Sequence, residues 1–125
     1  MLFYVDTLEH LRRGGRIGAA AALVGTALAV KPLLHVVNGT IAPLEKVRTA
    51  SKALARLEDL AVQRAGHGEV DVAVQHLAAG QRAVELGARL RERLPHVASL
   101  HVSEVGAVVG AHVGPGFLGV IVSRR

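Results

Sequence analysis

The sequence predicts one α/β domain spanning residues 1–125, a mixed β-sheet with packed helices. Three observations carry that reading. Asn38-Gly39 sits between two apolar stretches, the signature of a β-hairpin with a type I′ turn. A strand-helix-strand pattern runs from Val70 to Val102. Half of the residues are apolar and 20% are charged, which rules against disorder. With two Phe, one Tyr and no Trp, the core of such a domain must be aliphatic.

The elements follow in order. Asp6 or Thr7 can cap a short helix through Arg13, with Leu8 and Leu11 on one face and Gly14 past its end. Gly14 and Gly15 make a corner before Arg16. Ile17 to Val30 has helix-forming composition and stops at Lys31-Pro32, because proline disfavours helix in the residue before it. Leu33–Val37 and Thr40–Val47 form the hairpin, and Pro43 puts its second strand at an edge or a bulge. Thr49 caps a helix with the stripe Ala50, Ala53, Leu54, Leu57, Leu60 and Ala61; Lys52, Arg56, Glu58 and Asp59 take its wet face, and Gly66 ends it.

Val70, Val72 and Val74 alternate with polar or small residues, the period of a strand with one covered face. A helix from Gly80 to Leu94 turns Val84, Gly87, Leu90 and Leu94 inward and is terminated by Pro95. Val97 to Val102 is the next strand, and Ser103 caps a short helix reaching His112. After Gly114-Pro115-Gly116, the apolar run Phe117–Val122 reads as a central strand covered on both faces.

Several function classes fall away. The absence of Cys excludes disulfides, thiolate metal sites and cysteine nucleophiles. The seven His show no zinc-type pairing. His10, His67 and His96 read as solvated, whereas His35, His76 and His101 lie on expected strands, partly buried and hydrogen-bonded. No serine elbow, P-loop or paired carboxylates occur, so neither an enzyme nor a cofactor is expected. The most apolar run is 14 residues, against about 20 needed to cross a bilayer. MLFYVDTLEH lacks the basic start and long apolar stretch of a signal, so a cytoplasmic domain is expected. A net charge of +5 suits an anionic ligand; nucleic acid ranks lower because aromatic residues for base stacking are scarce.

Three stretches could carry binding chemistry. In Arg13-Gly14-Gly15-Arg16-Ile17-Gly18, glycine backbone and guanidinium forks can cradle a carboxylate or phosphate; the same residues also read as a helix end followed by a solvated arginine. In Gly110-Ala111-His112-Val113-Gly114-Pro115-Gly116, a stiff turn can fix His112 to donate to a carboxylate; the alternative is a histidine favoured by a helix C-terminus. Lys46 and Arg48, one side of a strand end, make either a basic patch or an ordinary solvated pair.

Taken in order, VDTLEHLRRGGRIGAAAALVGTALAVKPLLHVVNGTIAPLEKVRTASKAL, VAVQHL and HVSEVGAVVGAHVGPGFLGV resemble the C-terminal domain of the DegV family. The resemblance implies a long-chain fatty acid held in a tunnel between two domains, and a carrier that presents the acyl carboxylate to a separate ATP-dependent fatty acid kinase subunit. It makes His112 a hydrogen-bond partner of the carboxylate, with Gly15 and Arg16 in the polar network behind it and Gly114 and Gly116 framing the turn. Arg48 becomes a contact for the kinase, and the Ala-rich helix and Phe117 strand become tunnel wall. The family's N-terminal domain is absent from this chain, so weak acyl binding by the chain alone is expected, with self-association through its exposed apolar face. The alternatives are an anion- or nucleic-acid-binding regulatory module, or a small enzyme.

Overall fold

The computed structural model describes residues 1–23 and 31–125. In chain order the elements are β1 (Leu2–Tyr4), α1 (Glu9–Arg13), a 3₁₀ segment (Gly18–Leu23), β2 (Lys31–Val37), β3 (Thr40–Val47), α2 (Ala50–Ala65), β4 (Val70–His76), α3 (Gly80–Arg93), β5 (Val97–Glu104), α4 (Ala107–Val113) and β6 (Leu118–Arg124). The six strands form one sheet in the order β3-β2-β1-β6-β4-β5. Only β4 and β5 pair in parallel, joined by the α3 crossover; every other neighbouring pair is antiparallel. The fold is the mixed α/β sheet that the sequence predicts.

Strand alternation splits the core into two layers. Leu2, Tyr4, Leu33, Val70, Val72, Val74, Leu118 and Val120 face α2 and α3, whose Ala53, Leu57, Ala61, Ala83, Leu86 and Leu90 close over them. Phe3, Val5, Leu34 and Phe117 face the other way, under Leu11 of α1, Ala20 of the 3₁₀ segment and Val113 of α4. At roughly 25 cal/mol per Å² of apolar surface removed from water, these two layers supply the main favourable term in folding.

Most elements stand where the residues place them. Asn38 (φ 51°) and Gly39 (φ 76°) have the two positive angles of a type I′ turn. Pro43 lies on edge strand β3, opposite the register shift between Leu33 and Leu34. Thr49 is extended and its side chain accepts from the Lys52 N–H at 3.2 Å, capping α2.

Five expectations need correction. The strand β1 was not expected, yet it sits at the centre of the sheet. Gly18–Leu23 is 3₁₀, not α: Gly18 is left-handed (φ 56°) and packs against the Ile41 carbonyl of β3, so the chain enters in the wrong conformation for an α-helix. The rest of the expected Ala-rich helix, residues 24–30, lies outside the described residues. Ser103 does not cap a helix; it pairs with Gln75 inside β5, and α4 starts only after Gly106. Val84 is 61% exposed, because α3 presents Ala83, Leu86, Gly87 and Leu90 to the sheet. Glu58 is buried rather than wet, held by Arg89 at 2.5 Å and Arg93 at 2.7 Å across the α2–α3 interface.

Smaller differences bear on the ends of elements. The residue before α1 is Leu8, which gives no side-chain cap; Thr7 Oγ1 instead accepts from the Glu9 N–H at 3.2 Å. The strand β6 is covered on both faces only through Val120, and Ile121 is exposed. His101, expected to be partly buried, is exposed on edge strand β5.

Candidate functional site

On the face carrying α1 and α4, two glycine-bearing segments from opposite ends of the chain interlock. His112 lies in the last turn of α4, and its imidazole rests on Gly14, the residue after α1. A β-carbon built on Gly14 would overlap His112 Nδ1 and stand 2.8 Å from its Cε1. Gly14 itself has φ −78°, open to any residue, so the glycine is needed there for the histidine and not for the backbone. Gly15 is the one that needs its freedom, at φ 69°.

The contact is returned. A β-carbon on Gly114 would overlap the ring of His10, in α1, and lie 2.7 Å from its Nε2. Next along, Gly116 leaves room for the Asp6 carboxylate, which would otherwise be struck by a side chain. Asp6 is in turn held by buried Tyr4, whose hydroxyl donates to Asp6 Oδ1 at 2.5 Å. Burial, and then this carboxylate, push the Tyr4 hydroxyl well above the ordinary phenol range.

The Gly114-Pro115-Gly116 turn is anchored below as well. The Gly116 N–H donates to the Leu77 carbonyl at 2.8 Å, and the Leu77 N–H donates to Phe117 O at 3.1 Å. The far end of the turn is therefore fixed to the residue after β4, while its near end bonds back to α4 through Gly114 N–H and Gly110 O. A cavity of about 420 Å³ adjoins it, lined by Asp6, Pro115, Gly116 and residues 78–82. Neither His112 nor Arg16 lines that cavity.

His112 is half-buried, and its Nδ1 is buried with no hydrogen-bond partner among the described residues. With Nδ1 buried, Nε2 is the ring nitrogen left to meet a ligand. Gly15 and Arg16 follow directly on Gly14 in the chain; the Arg16 N–H donates to Leu11 O at 2.9 Å and its side chain is exposed. Arg48 is elsewhere, exposed beyond the end of edge strand β3.

Other expectations are revised here. The Phe117 side chain itself is fully buried, 5.6 Å from Phe3 ring to ring, and fills the core. His10 is not solvated but packed on Gly114. His76, as expected, is partly buried and hydrogen-bonded: its Nδ1 accepts from the Ala79 N–H at 3.2 Å. Sequence reasoning gave Tyr4, Asp6 and His10 no part in this contact, and it placed Gly14 in a candidate stretch without its role as a seat for His112. Of these only Gly14 left a trace, since a double glycine is one more than a corner needs. Among the described residues, no group of three His, Asp or Glu is placed to hold a metal ion, and no helix is long and apolar enough to cross a membrane.

Comparison with known proteins extends this picture. A DegV domain-containing protein of Streptomyces coelicolor is 70% identical over 98% of this chain and 44% of its own length. Protein DegV of Bacillus subtilis is 42% identical over 94% of this chain and 42% of its own length. This chain thus spans less than half the length of these relatives. Among solved structures, a fatty-acid-binding DegV family protein of Streptococcus agalactiae superimposes with a TM-score of 0.87 at 32% identity, over 99% of this chain and 44% of the other. A DegV family protein of Thermus thermophilus, described for its fatty acid binding, gives 0.89 at 30% identity over 99% and 45%. These names state binding and no reaction. The family profile described as "Uncharacterised protein, DegV family" matches residues 1–125, and the chain belongs to the DegV family.

Proposed function

We propose that this chain is the carboxylate-facing half of a fatty-acid carrier with no chemistry of its own. The observation that carries the reading is His112: a half-exposed imidazole, seated on Gly14, with Nδ1 buried and Nε2 the nitrogen left to meet a head group. A donor held rigidly at one edge of a protein suits a ligand whose head group must be oriented while its tail supplies the affinity. Each methylene buried contributes roughly 0.8 kcal/mol, so the acyl chain dominates binding and the head group sets register. Arg16 and Gly15 would complete the anion's surroundings, with Gly114 and Gly116 framing the turn. The fatty-acid binding described for the related structures supports the same ligand class.

The carrier would present the carboxylate to an ATP-dependent kinase subunit in the cytoplasm, with Arg48 as a contact for that partner. Positioning the reacting group is then its whole contribution to the phosphorylation. The remaining length of the relatives would supply the facing wall, so the chain alone is expected to bind acyl chains weakly and to self-associate. Exposed Val108 and Val109 on α4, beside the turn that carries His112, are the side chains such association would cover.

The test grafts this chain in place of the matching 44% of the Streptomyces coelicolor relative and weighs the purified protein by native mass spectrometry. A retained acyl mass that falls at least about tenfold with His112→Ala supports the reading. Absence of any acyl ligand overturns it. Retention unaffected by His112→Ala removes His112 from the site.

A further inference from the structure

We infer that His10 and Gly14 are positioning residues: two reciprocal seats, His112 on Gly14 and His10 on Gly114, lock the end of α1 to the end of α4 and fix which nitrogen His112 offers. The inference rests on the carrier reading for its purpose, though not for its geometry.

The lock has parts that no backbone requirement explains. His112 lies in the last turn of α4 and His10 near the start of α1; each ring sits against the glycine just beyond the other helix, where a single β-carbon would collide with it, and while Gly114 (φ 79°) needs glycine for its backbone as well, Gly14 does not. Gly14 is in ordinary right-handed conformation, where alanine would be the better helix former. Its glycine therefore costs local stability, and the nearest group that benefits is the His112 ring. Without a β-carbon at Gly14 the ring sits where Nδ1 has no access to water, so Nε2 is the nitrogen left to meet a ligand, and the inference puts the proton there. His10 acts at second hand, closing over Gly114 and holding the residue that ends the α4 turn two positions after His112.

The measurement is imidazole nitrogen NMR on the ligand-free chain, where His112 nitrogen shifts report the tautomer directly. Wild type is expected to show a single Nε2–H tautomer at His112. Gly14→Ala, which the backbone accepts without strain, is expected to unseat the ring and give exchange-averaged nitrogen shifts while the amide spectrum of β4, β5 and α3 stays in place. His10→Ala is expected to do the same more weakly, and His10→Phe, which keeps a flat ring on Gly114, to restore the wild-type pattern. A His112 spectrum unchanged by both Gly14→Ala and His10→Ala overturns the lock. So does an averaged spectrum in the wild type. In the grafted full-length protein, Gly14→Ala is expected to weaken palmitate binding by about tenfold. If the nitrogen shifts move as expected and palmitate never binds even in the wild type, the lock stands and the carrier reading falls.

Discussion

Tyr4 shows how one side chain ties the core to the site. It is fully buried between sheet and helices, yet its hydroxyl donates to Asp6, which packs against Gly116 of the turn. Because the folded protein holds the Tyr4 proton more tightly than the unfolded chain does, its contribution to stability is complete below the ordinary phenol value near pH 10. It is lost as pH rises from there toward the raised folded value, at about 1.4 kcal/mol per pH unit. Tyr4 is the only tyrosine and there is no tryptophan, so phenolate absorbance reads this group alone. The expected result is a delayed Tyr4 titration coinciding with alkaline unfolding, with Tyr4→Phe flattening the loss of stability in urea melts above pH 10. A tyrosine that titrates normally in the folded protein would contradict this. Glu58 is the second residue of consequence. Buried under Arg89 and Arg93, it makes Glu58→Ala expected to cost about 1–3 kcal/mol in urea denaturation, far above the loss from a solvated helix carboxylate.

Among elements, those with strong local chemistry were legible before any coordinates. The type I′ turn at Asn38-Gly39, the Thr49 cap and the β4-α3-β5 crossover each follow from residues close in sequence. Thr49→Ala is expected to lower stability by about 1 kcal/mol, checked by thermal or urea melts. The misses have a common cause, in that distant packing decided them. The short strand β1 has three residues and no turn signal before it, and only its pairing with β2 and β6 makes it a strand. Ser103 had the chemistry of a cap but lies where the parallel register carries β5 on to Glu104. Val84 lost its place to Ala83 because α3 lies close over β5, with Gly87 against Leu100 and Val102. Gly18 belongs here too. Left-handed and pressed on a backbone carbonyl of β3, it makes Gly18→Ala expected to cost about 2 kcal/mol or more, since a backbone neighbour cannot swing aside.

Across the whole molecule, the sheet brings residues near position 10 beside residues near position 112, because β1 and β6 are neighbours at its centre and α1 and α4 follow or precede them on one face. That juxtaposition was partly readable: two glycine-bordered segments stood out as candidates, and the resemblance set them in one site. Their manner of meeting was not readable, since the seats of His112 and His10 are contacts between residues about a hundred positions apart. Arg48, singled out with them, lies off that meeting point. The central claim is that the imidazole of His112, set in place by Gly14, grips the carboxylate of a bound acyl chain. The native mass spectrum of the grafted full-length protein addresses it most directly, with wild type weighed beside His112→Ala. The account predicts a long-chain acyl mass on the wild type that is largely lost from the variant; equal acyl occupancy in the two proteins would contradict it.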